Sequence, residues 1–536
     1  MKNFDIPEHI IPEIQEIIEI LRARLKEHPD EVIATLESVV SGELELVETV
    51  TDEEAERFRK ICEAVLETGL PESLQSTLRK VVLGNTSGKP SGKAKLPLAN
   101  EQLTPQEVLM LMSYFFYEDF HYPQPATGKY DISNDPFEKM KWAYRLQLNQ
   151  LEVAERGSGM EKYFKEQNLS GLARVAPLGS SVATITCAGD LLAVDALLTG
   201  NTDRLFNDIA DFYSSGVDIV SANLESTVYA GGQPGRKINQ GKPAQMNTTE
   251  DMFKKFCSEA GINFFSTATN HSMDWGEIGV EATIDVINKY NVDYAGTAKD
   301  QTGQSKVVIR EINGIKIALL SFTMDLNDYA TPPTKPYLAN EVRFNDVPAT
   351  ARDYSLIQSQ VNTAKELGAD WIIAYCHWGW EFEMYPHSSI RDAAREIIDL
   401  GVDTILGNHA HVSQPSEIIN GKLVIYSFGD FVSFHPSSRN SKLSYIVKFE
   451  VYKSGSGSSA EIGVSGLKAM PVYIVNQHLG GGGYNCRIVP FSDVLGNRDG
   501  YGLTDIEKSQ LNHLRDNVWG AILSPLSSLN PLLTKS

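Results

Sequence analysis

Residues 404–411 read Thr404-Ile405-Leu406-Gly407-Asn408-His409-Ala410-His411, a short apolar run that ends in polar side chains. Such a run predicts a buried strand, and its polar end lies where open α/β sheets bind ligands. Four further runs end in the same way, in Cys187-Ala188-Gly189-Asp190, Asn223-Leu224-Glu225, Thr269-Asn270-His271-Ser272-Met273-Asp274 and His377-Trp378-Gly379. Asp, Glu, Asn and His are the ligand types that hold Mn, Fe or Zn in proteins. The pattern therefore predicts a divalent-metal site at one edge of a sheet.

Each of these clusters, taken alone, has an ordinary structural explanation. A Gly-Asp pair at a strand end is usually a turn, Asn223 or Asn270 would be a satisfied loop amide, and His377 would be a core histidine. Their joint placement favours the metal site, because four of the eleven histidines follow these strands. His409 and His411 are only two residues apart, so both rings can reach one centre.

The region around these clusters alternates between β-branched runs and amphipathic segments. Strands are predicted over residues 182–186, 219–222, 264–267, 316–322, 371–375, 404–406, 423–426, 444–452 and 472–475. Helices are predicted over residues 251–260, 278–290 and 389–400. Strands that alternate with helices indicate an α/β domain with helices covering the faces of the sheet.

The rest of the chain differs in composition from this α/β region. We expect an acidic helical N-terminal region, a linker rich in Gly, Ser and Lys, a second helical segment, the α/β domain and a C-terminal tail. Their predicted bounds are 1–83, 84–100, 101–175, 180–500 and 501–536, with one long helix over 136–167 in the second helical segment.

Length and charge restrict the class of protein. The chain has 536 residues, 42% of them hydrophobic, and a formal net charge of −21, which argues against nucleic acid or an anionic membrane surface as a partner. Residues 1–70 hold 18 acidic and 7 basic side chains, so about half of the charge lies outside the α/β region. No transmembrane segment or signal peptide is evident, and the five cysteines show no CxxC pair, so we expect a cytoplasmic location and reduced thiols.

The polar clusters and the segments around them resemble a known family. They are similar, in order and spacing over residues 182–434, to the CapA-type poly-γ-glutamate biosynthesis proteins of bacteria, a branch of the calcineurin-like metallophosphoesterase superfamily. Asn223-Leu224-Glu225 matches that family's NLE, and 268–276, 377–381, 407–412 and 426–431 resemble its A-N-N-H-x-x-D-x-G, H-W-G-x-E, G-H-H-P-H-V and Y-S-L-G-N-F.

The resemblance implies a fold of two facing β-sheets flanked by helices, with a metal centre at one edge. It implies one or two divalent ions, Mn, Fe or Zn, held by Asp190, Glu225, Asn270, His377, His409 and His411. It also implies that His271 is a general acid, with Asp274 orienting or charging its ring. The alternative for Asp274 is an N-cap of the helix that follows, and both roles are compatible.

The chain departs from the family pattern at several positions. Two residues after Asp190, where two-metal phosphoesterases usually have a histidine, the residue is Leu192, so one metal position could be poorly held. Thr269, Asn408 and Ala410 replace an asparagine, a histidine and a proline of the motifs. Asp430 replaces an asparagine and adds a carboxylate that could tune the metal affinity or the pKa of the acid, or simply belong to a turn.

The nature of the substrate is less constrained. Residues 229–247 form a predicted loop whose basic side chains, Arg236, Lys237 and Lys242, would bind an anionic substrate, and the alternative is a solvated flexible loop. A metal-activated water and the acid His271 suit attack on phosphorus or on an amide carbonyl.

Three hypotheses for the function follow from these features. The first is a metal-dependent hydrolase or transferase of the CapA type, acting on a polyglutamate-like polymer or a small anionic molecule. The second is a phosphoesterase for a small phosphorylated substrate. The third is a non-catalytic scaffold of a polymer-handling assembly, with the N-terminal helical region as the site for a protein partner.

Overall fold

A computed structural model of the chain describes residues 113, 116–132, 135–239, 242–434, 439–455, 460–480 and 483–530. The predicted helical region 1–83 and the linker 84–100 lie outside these residues. The described residues divide into two compact units, one that includes residues 116–122 and 135–144 and another that includes residues 123–132 and 145–530. The second unit holds both sheets and all of the candidate metal ligands.

Strands are numbered β1 to β16 along the chain. In the described residues they are β1 Ser181–Leu191, β2 Ile219–Leu224, β3 Gly235–Asn239, β4 Lys242–Asn247, β5 Phe264–Ser266, β6 Asp293–Ala295, β7 Val308–Ile312, β8 Ile315–Thr323, β9 Trp371–His377, β10 Thr404–Asn408, β11 Ser416–Ile419, β12 Lys422–Ile425, β13 Asp430–Val432, β14 Leu443–Ser454, β15 Glu461–Gly480 and β16 Gly483–Pro490. Each predicted strand overlaps one of these, so those predictions are confirmed.

Helices connect many of the strands. The α-helices among the described residues are Tyr117–His121, Pro136–Gln147, Met160–Lys165, Asp195–Leu198, Ala210–Tyr213, Glu250–Ser258, Gly276–Lys289, Gln301–Ser305, Ser355–Glu366, Ser388–Leu400, Phe491–Gly496, Asp505–His513 and Ser524–Ser527. Short 3-10 turns occur at Pro336–Leu338, Ala349–Ala351 and Asn440–Lys442, and a π-helix covers Leu514–Ile522. The three helices predicted in the α/β region are confirmed, and no helix among the described residues is long and apolar enough to cross a bilayer.

The strands of the described residues form two large sheets and one hairpin. The first sheet has eight strands in the order β16-β15-β14-β1-β2-β5-β6, with β13 paired to β1, and the second has six in the order β11-β12-β10-β9-β8-β7. β1, β2, β5 and β6 run parallel in the first sheet, as do β8, β9, β10 and β12 in the second. Parallel strands place their carboxyl ends at one edge, which brings the polar clusters of each sheet together.

Contacts between side chains show that the two sheets pack against each other. The hydroxyls of Ser266 on β5 and Ser321 on β8 are 2.9 Å apart, and the ring centroids of Phe264 and Tyr375 are 5.1 Å apart. Every residue of β2, β9 and β10 is buried, as expected for parallel strands covered on both faces. The predicted α/β class is therefore confirmed.

Local sequence signals explain where several helices begin and end. Thr249 caps the helix Glu250–Ser258 by accepting a hydrogen bond from the backbone N–H of Met252. The helix Ser388–Leu400 ends at Gly401, whose φ of 109° is a left-handed conformation that favours glycine.

Two local predictions are wrong. The single helix expected over 136–167 is two helices, because Leu151 between them leaves the helical conformation and forms a β-bridge with Glu383. Gly157 and Gly159, with left-handed φ values of 73° and 71°, precede the second helix. The basic loop expected over 229–247 contains a hairpin, in which Arg236 of β3 pairs with Met246 of β4. Thr227 anchors this hairpin, since its N–H donates to the carbonyl oxygen of Met246 over 3.3 Å.

Candidate metal centre

The first sheet contributes oxygen donors to the centre. Asp190 is the next-to-last residue of β1 and pairs with Asp430 of β13, while Glu225 and Asn270 follow the carboxyl ends of β2 and β5. All four side chains are buried. Burial of this many polar side chains is costly unless each is bonded to a partner or a cation, so their convergence indicates a binding site.

The second sheet contributes imidazoles. His377 is the last residue of β9, and His409 and His411 follow β10. His409 and His411 have φ values of 97° and 52°, a region of backbone conformation that is uncommon for residues other than glycine. Such strain often occurs at functional sites, and here it brings both rings of the His-Ala-His segment to the centre.

A close approach of two backbone segments places Asp190 beside Asp430. A Cβ atom on Gly189 would lie 1.8 Å from the carbonyl oxygen of Gly429, so this position accepts no side chain. The N–H of Asp190 donates to the same carbonyl oxygen over 3.1 Å. Glycine at 189 therefore permits the pairing of β1 with β13 that brings the two carboxylates to one edge.

The donors fall into two groups, each compact enough for one ion. In the first group, of Glu225, His377 and His409, one ligand atom of each lies within 4.8 Å of the others. Nε2 of His377 is 3.3 Å from Oε1 of Glu225 and 2.9 Å from Oδ1 of Asn270, so the Asn270 amide belongs to this group as well.

The second group consists of Asp190, His411 and Asp430, whose ligand atoms meet the same 4.8 Å limit. Nδ1 of His411 is 2.8 Å from Oδ1 of Asp430 and 3.7 Å from Oδ2 of Asp190. Nε2 of His411 is 3.6 Å from Oε1 of Glu225, so Glu225 lies between the two groups. The six candidate ligands named from the sequence thus converge, together with Asp430.

Asn223 of β2 links the two groups. Its Nδ2 donates to Oδ1 of Asp190 over 2.7 Å and lies 3.1 Å from Nδ1 of His377. Asn223 orients a carboxylate of one group and an imidazole of the other, an arrangement common around metal ligands. The sequence placed Asn223 in a polar cluster at a strand end, but it did not predict that this residue orients the ligands.

Burial shifts the pKa values of the carboxylates upward and those of the imidazoles downward, and at His411 nearby carboxylates reverse its effect. Burial raises the pKa of Asp190 to about 7, with His411 opposing the rise and Asp430 adding to it. Burial and the charge of Asp190 raise the pKa of Glu225 well above its ordinary value. Burial and the neighbouring His411 ring lower the pKa of His409 well below its ordinary value, and burial lowers that of His377 as well. For His411, Glu225 and Asp430 outweigh burial and raise the pKa.

Several buried donor atoms have no hydrogen-bond partner. These are both carboxylate oxygens of Glu225 and both ring nitrogens of His409. A buried polar atom left without a partner costs about 1–3 kcal/mol, and a divalent cation would satisfy carboxylate and imidazole donors together. The residues of the centre therefore fit a divalent metal of the Mn, Fe or Zn type.

His271 and Asp274 form a pair beside the donors. Nδ1 of His271 is 2.8 Å from Oδ2 of Asp274, and the backbone N–H of Met246 on the hairpin donates to the same Oδ2. Burial raises the pKa of Asp274, and His271 opposes the rise. The alternative in which Asp274 caps the next helix is wrong, because Trp275 is the N-cap residue and the Asp274 carboxylate turns toward His271.

The three basic residues of the hairpin differ in placement. Arg236 is half-buried, and burial lowers its pKa while the charges of Glu381 and Asp195 oppose that effect. The Lys237 ammonium lies 4.8 Å from the ring centroid of Trp275. The side chain of Lys242 lies outside the described residues. Arg236 is thus electrostatically coupled to the centre, since Oε1 of Glu381 is 4.0 Å from Nε2 of His409.

Other residues near the centre were not singled out from the sequence. Glu381, quoted only as part of a motif, faces His409, and Nδ2 of Asn327 lies 3.4 Å from Nδ1 of His271. Asn327 lies in a loop after β8 with no local signal, although its φ of 51° shows a special backbone. Leu192, which replaces a common histidine ligand, is buried with the apolar core.

Residues 184–435 match a protein-family model described as the bacterial capsule synthesis protein PGA_cap. The PGA biosynthesis protein CapA of Bacillus subtilis (strain 168) is 28% identical over 256 residues, 48% of this chain and 63% of that protein, which is less than two thirds of its length. The capsule biosynthesis protein CapA of Bacillus anthracis is 24% identical over 297 residues, 54% of this chain and 69% of that protein. The crystal structure of a hypothetical protein from Thermus thermophilus aligns at 14% identity over 54% of this chain and 99% of its own, with a TM-score of 0.31 that supports no argument about the fold.

Proposed function

We propose, from the similarity of residues 184–435 to the bacterial capsule synthesis family model and to CapA proteins, that the chain is a metal-dependent hydrolase or transferase of the CapA type. Its proposed substrate is a polyglutamate-like polymer or a small anionic molecule, and its proposed architecture is that of the metallophosphoesterases. The observation that carries this proposal is the convergence of two compact donor groups beside the His271–Asp274 pair.

The proposed ligands of one or two divalent ions are Asp190, Glu225, Asn270, His377, His409 and His411. When bound, such an ion polarises an oxygen of the substrate and lowers the pKa of water to about 7. Glu225 would contribute to both donor groups, because its Oε1 is 3.3 Å from Nε2 of His377 and 3.6 Å from Nε2 of His411. Asn223 fixes the orientation of Asp190 within this set.

His271 is the proposed general acid. Its Nδ1 bonds to Asp274, which leaves Nε2 to carry the proton that the leaving group takes. Asp274 is itself held by the hairpin through the N–H of Met246, so the pair keeps its orientation before substrate binds. A positioned histidine that gives a proton to the leaving group accelerates such reactions by about 10²–10⁴-fold.

Arg236 is the hairpin residue best placed to attract an anionic substrate. It is half-buried and coupled to Glu381, which faces His409. Because it is always protonated, arginine can bind a carboxylate or a phosphate through two parallel hydrogen bonds. A carboxylate and a phosphate both suit binding by Arg236. Experiment must therefore decide between cleavage of an amide and cleavage of a phosphoester.

The test compares hydrolysis of an aryl phosphate and of a γ-glutamyl amide by the purified full chain, with and without added Mn²⁺. Turnover of the amide that depends on the metal supports the CapA-type proposal, whereas turnover of the phosphate alone supports a phosphoesterase. If the chain contains no stoichiometric Mn, Fe or Zn and His377→Ala leaves its function intact, both enzymes are excluded and the scaffold hypothesis stands.

A further inference from the structure

Asp430 makes two hydrogen bonds that connect the edge of β13 to the centre. Its Oδ1 lies 2.8 Å from Nδ1 of His411, and its Oδ2 accepts a hydrogen bond of 2.8 Å from the hydroxyl of Ser433. The carboxylate is fully buried. A carboxylate held in this way has a fixed orientation toward the imidazole.

The two ring nitrogens of His411 face different carboxylates. Nδ1 faces Asp430, and Nε2 lies 3.6 Å from Oε1 of Glu225. In a neutral imidazole one nitrogen carries the proton and the other carries a lone pair, so a hydrogen bond from Nδ1 leaves the lone pair on Nε2. Neither carboxylate oxygen of Glu225 has a hydrogen-bond partner. The Nε2 lone pair of His411 therefore faces a buried carboxylate whose oxygens are unsatisfied.

We propose that Asp430 is a positioning residue that holds His411 with its Nδ1 proton bonded to the carboxylate and its Nε2 lone pair aimed at the metal position beside Glu225. The inference rests on the proposed function, in which His411 is a ligand. A carboxylate bonded to the far nitrogen of a ligating histidine orients the ring and strengthens its donor nitrogen. Asp430 thus supports the metal position beside Glu225 through His411 without being a ligand itself.

His409 provides the contrast within the same segment. Neither of its ring nitrogens has a hydrogen-bond partner, and its contact with Asp190 is made by its backbone N–H over 3.2 Å. His411 thus differs from His409 in that its ring contacts the carboxylate of Asp430. A substitution at residue 430 should therefore affect the metal position at His411 more than the one at His409.

The first experiment measures Mn²⁺ affinity of the full chain by competition with a chelator of known affinity. Asp430→Ala is expected to weaken binding about 10–100-fold, the usual loss when a hydrogen-bond partner of a metal ligand is removed. Asp430→Asn keeps an acceptor without the charge and is expected to fall between Asp430→Ala and the wild type. The matched control, Asp346→Asn, changes a buried carboxylate that bonds to Arg343 outside the centre and should keep the wild-type affinity.

The second experiment reads the ring of His411 directly. In the Zn²⁺-loaded chain labelled with ¹⁵N-histidine, where metal binding requires a neutral ring, long-range proton–nitrogen spectra should show His411 protonated at Nδ1 and bound to zinc through Nε2. The His411 signals are assigned by their absence from His411→Gln, and thermal unfolding of the metal-free variants checks that each is folded. A purely structural role for Asp430 would not change the protonated nitrogen, whereas the proposal predicts that Asp430→Ala loses the Nδ1 preference and Asp430→Asn retains it.

Three results would overturn the inference. Mn²⁺ affinity of Asp430→Ala within about twofold of the wild type would exclude a positioning role, and zinc bound at Nδ1 would make Asp430 a ligand instead. Both results leave the proposed function in place. A wild-type chain that binds no metal at stoichiometric level would overturn this inference and the proposed function together.

Discussion

The first sheet brings carboxylates and an amide to the candidate metal centre, whereas the second sheet brings imidazoles. Asp190, Glu225, Asn270 and Asp430 come from the first, and His377, His409 and His411 from the second. Burial acts on both sets but with opposite sign, because it disfavours the charged form of each group. It raises the pKa of Asp190 to about 7 and lowers that of His377 well below its ordinary value.

This contrast teaches that neither sheet edge is a site by itself. Carboxylates alone would repel one another, and buried imidazoles alone would remain neutral and unpaired. Where the edges meet, each of the two donor groups combines at least one carboxylate with at least one imidazole. A mixed set of this kind suits a borderline divalent cation, whose charge would favour the ionised carboxylates and the neutral imidazoles.

The largest expected effect comes from removing an imidazole of the second sheet. His377→Ala should abolish metal binding at the group of Glu225, His377 and His409, because Nε2 of His377 lies close to both Glu225 and Asn270. The metal content of the purified chain, measured by inductively coupled plasma mass spectrometry, tests this. His478→Ala, a change at an exposed histidine of β15, is the control and should keep its metal. If His377→Ala kept its full metal content, the imidazole that β9 of the second sheet contributes would not be needed to hold the metal.

The second prediction separates catalysis from metal binding. His271→Ala should keep the metal and lose about 10²–10⁴-fold in turnover, because the leaving group would lack its proton donor. Metal content is measured on the same preparation as turnover of the aryl phosphate or the γ-glutamyl amide, whichever the wild-type chain hydrolyses. Asp274→Asn should lose less turnover, since the amide oxygen of the substituted side chain can still accept a hydrogen bond from Nδ1 of His271. Normal turnover of His271→Ala would refute the acid assignment.

The third prediction concerns the backbone contact that joins Asp190 to Asp430. Gly189→Ala should destabilise the fold by about 1–3 kcal/mol, because the new Cβ would collide with the carbonyl oxygen of Gly429. Unfolding by urea measures the loss. Gly496→Ala is the matched control, since a Cβ there meets no atom within 4 Å, and it should leave the stability unchanged or slightly higher. Equal stability of both variants would show that the contact does not constrain the sheet edge.

The smallest effect is expected at a carboxylate that already has cationic partners. Burial would raise the pKa of Glu152, but the hydrogen bond from His513 and the charge of Arg439 outweigh it and lower the pKa. Since the folded-state pKa is below the unfolded one, the ionised carboxylate stabilises the fold above the unfolded pKa, and this stabilisation is lost as the pH falls through the folded pKa.

Glu152→Gln should therefore cost about 1 kcal/mol at pH 7, and its difference from the wild type should shrink below about pH 4.5. Urea unfolding at pH 7, 5 and 4 measures this. Glu152 would then differ from Asp190 and Glu225, whose pKa values are raised by burial and by neighbouring carboxylates. A difference that stays constant with pH would show that the Glu152 charge does not contribute to stability.

Strand ends were predictable from the sequence because the signals are local. The predicted strand 404–406 lies within Thr404–Asn408, and its polar residues follow it directly. In parallel sheets such ends share an edge, so the convergence of Asp190, Glu225 and His377 could be anticipated. The partner of Asp274 could not be predicted in this way. A role as a helix cap was equally acceptable from the sequence, and its hydrogen bond with His271 depends on the tertiary fold.

The hairpin and the contacts of Asp430 were beyond the reach of local patterns. Residues 235–247 combine glycine, proline and lysine, a composition typical of loops, and their pairing depends on Thr227 and Asp274 from distant parts of the sequence. Asp430 was recognised as an extra carboxylate, but its bond to His411 requires the close approach of Gly189 and Gly429, which no spacing rule reveals.

The division of the donors between two sheets has a consequence for the order of events during folding. Asp190 and Asp430 are separated by 240 positions in the chain, and the imidazoles between them belong to the other sheet. The complete donor set exists only after both sheets have formed and packed, so a chain still folding offers no finished site for capture of an ion. An ion held by the finished centre would cross-link the two sheets. The sheets would have to release this ion before they could separate.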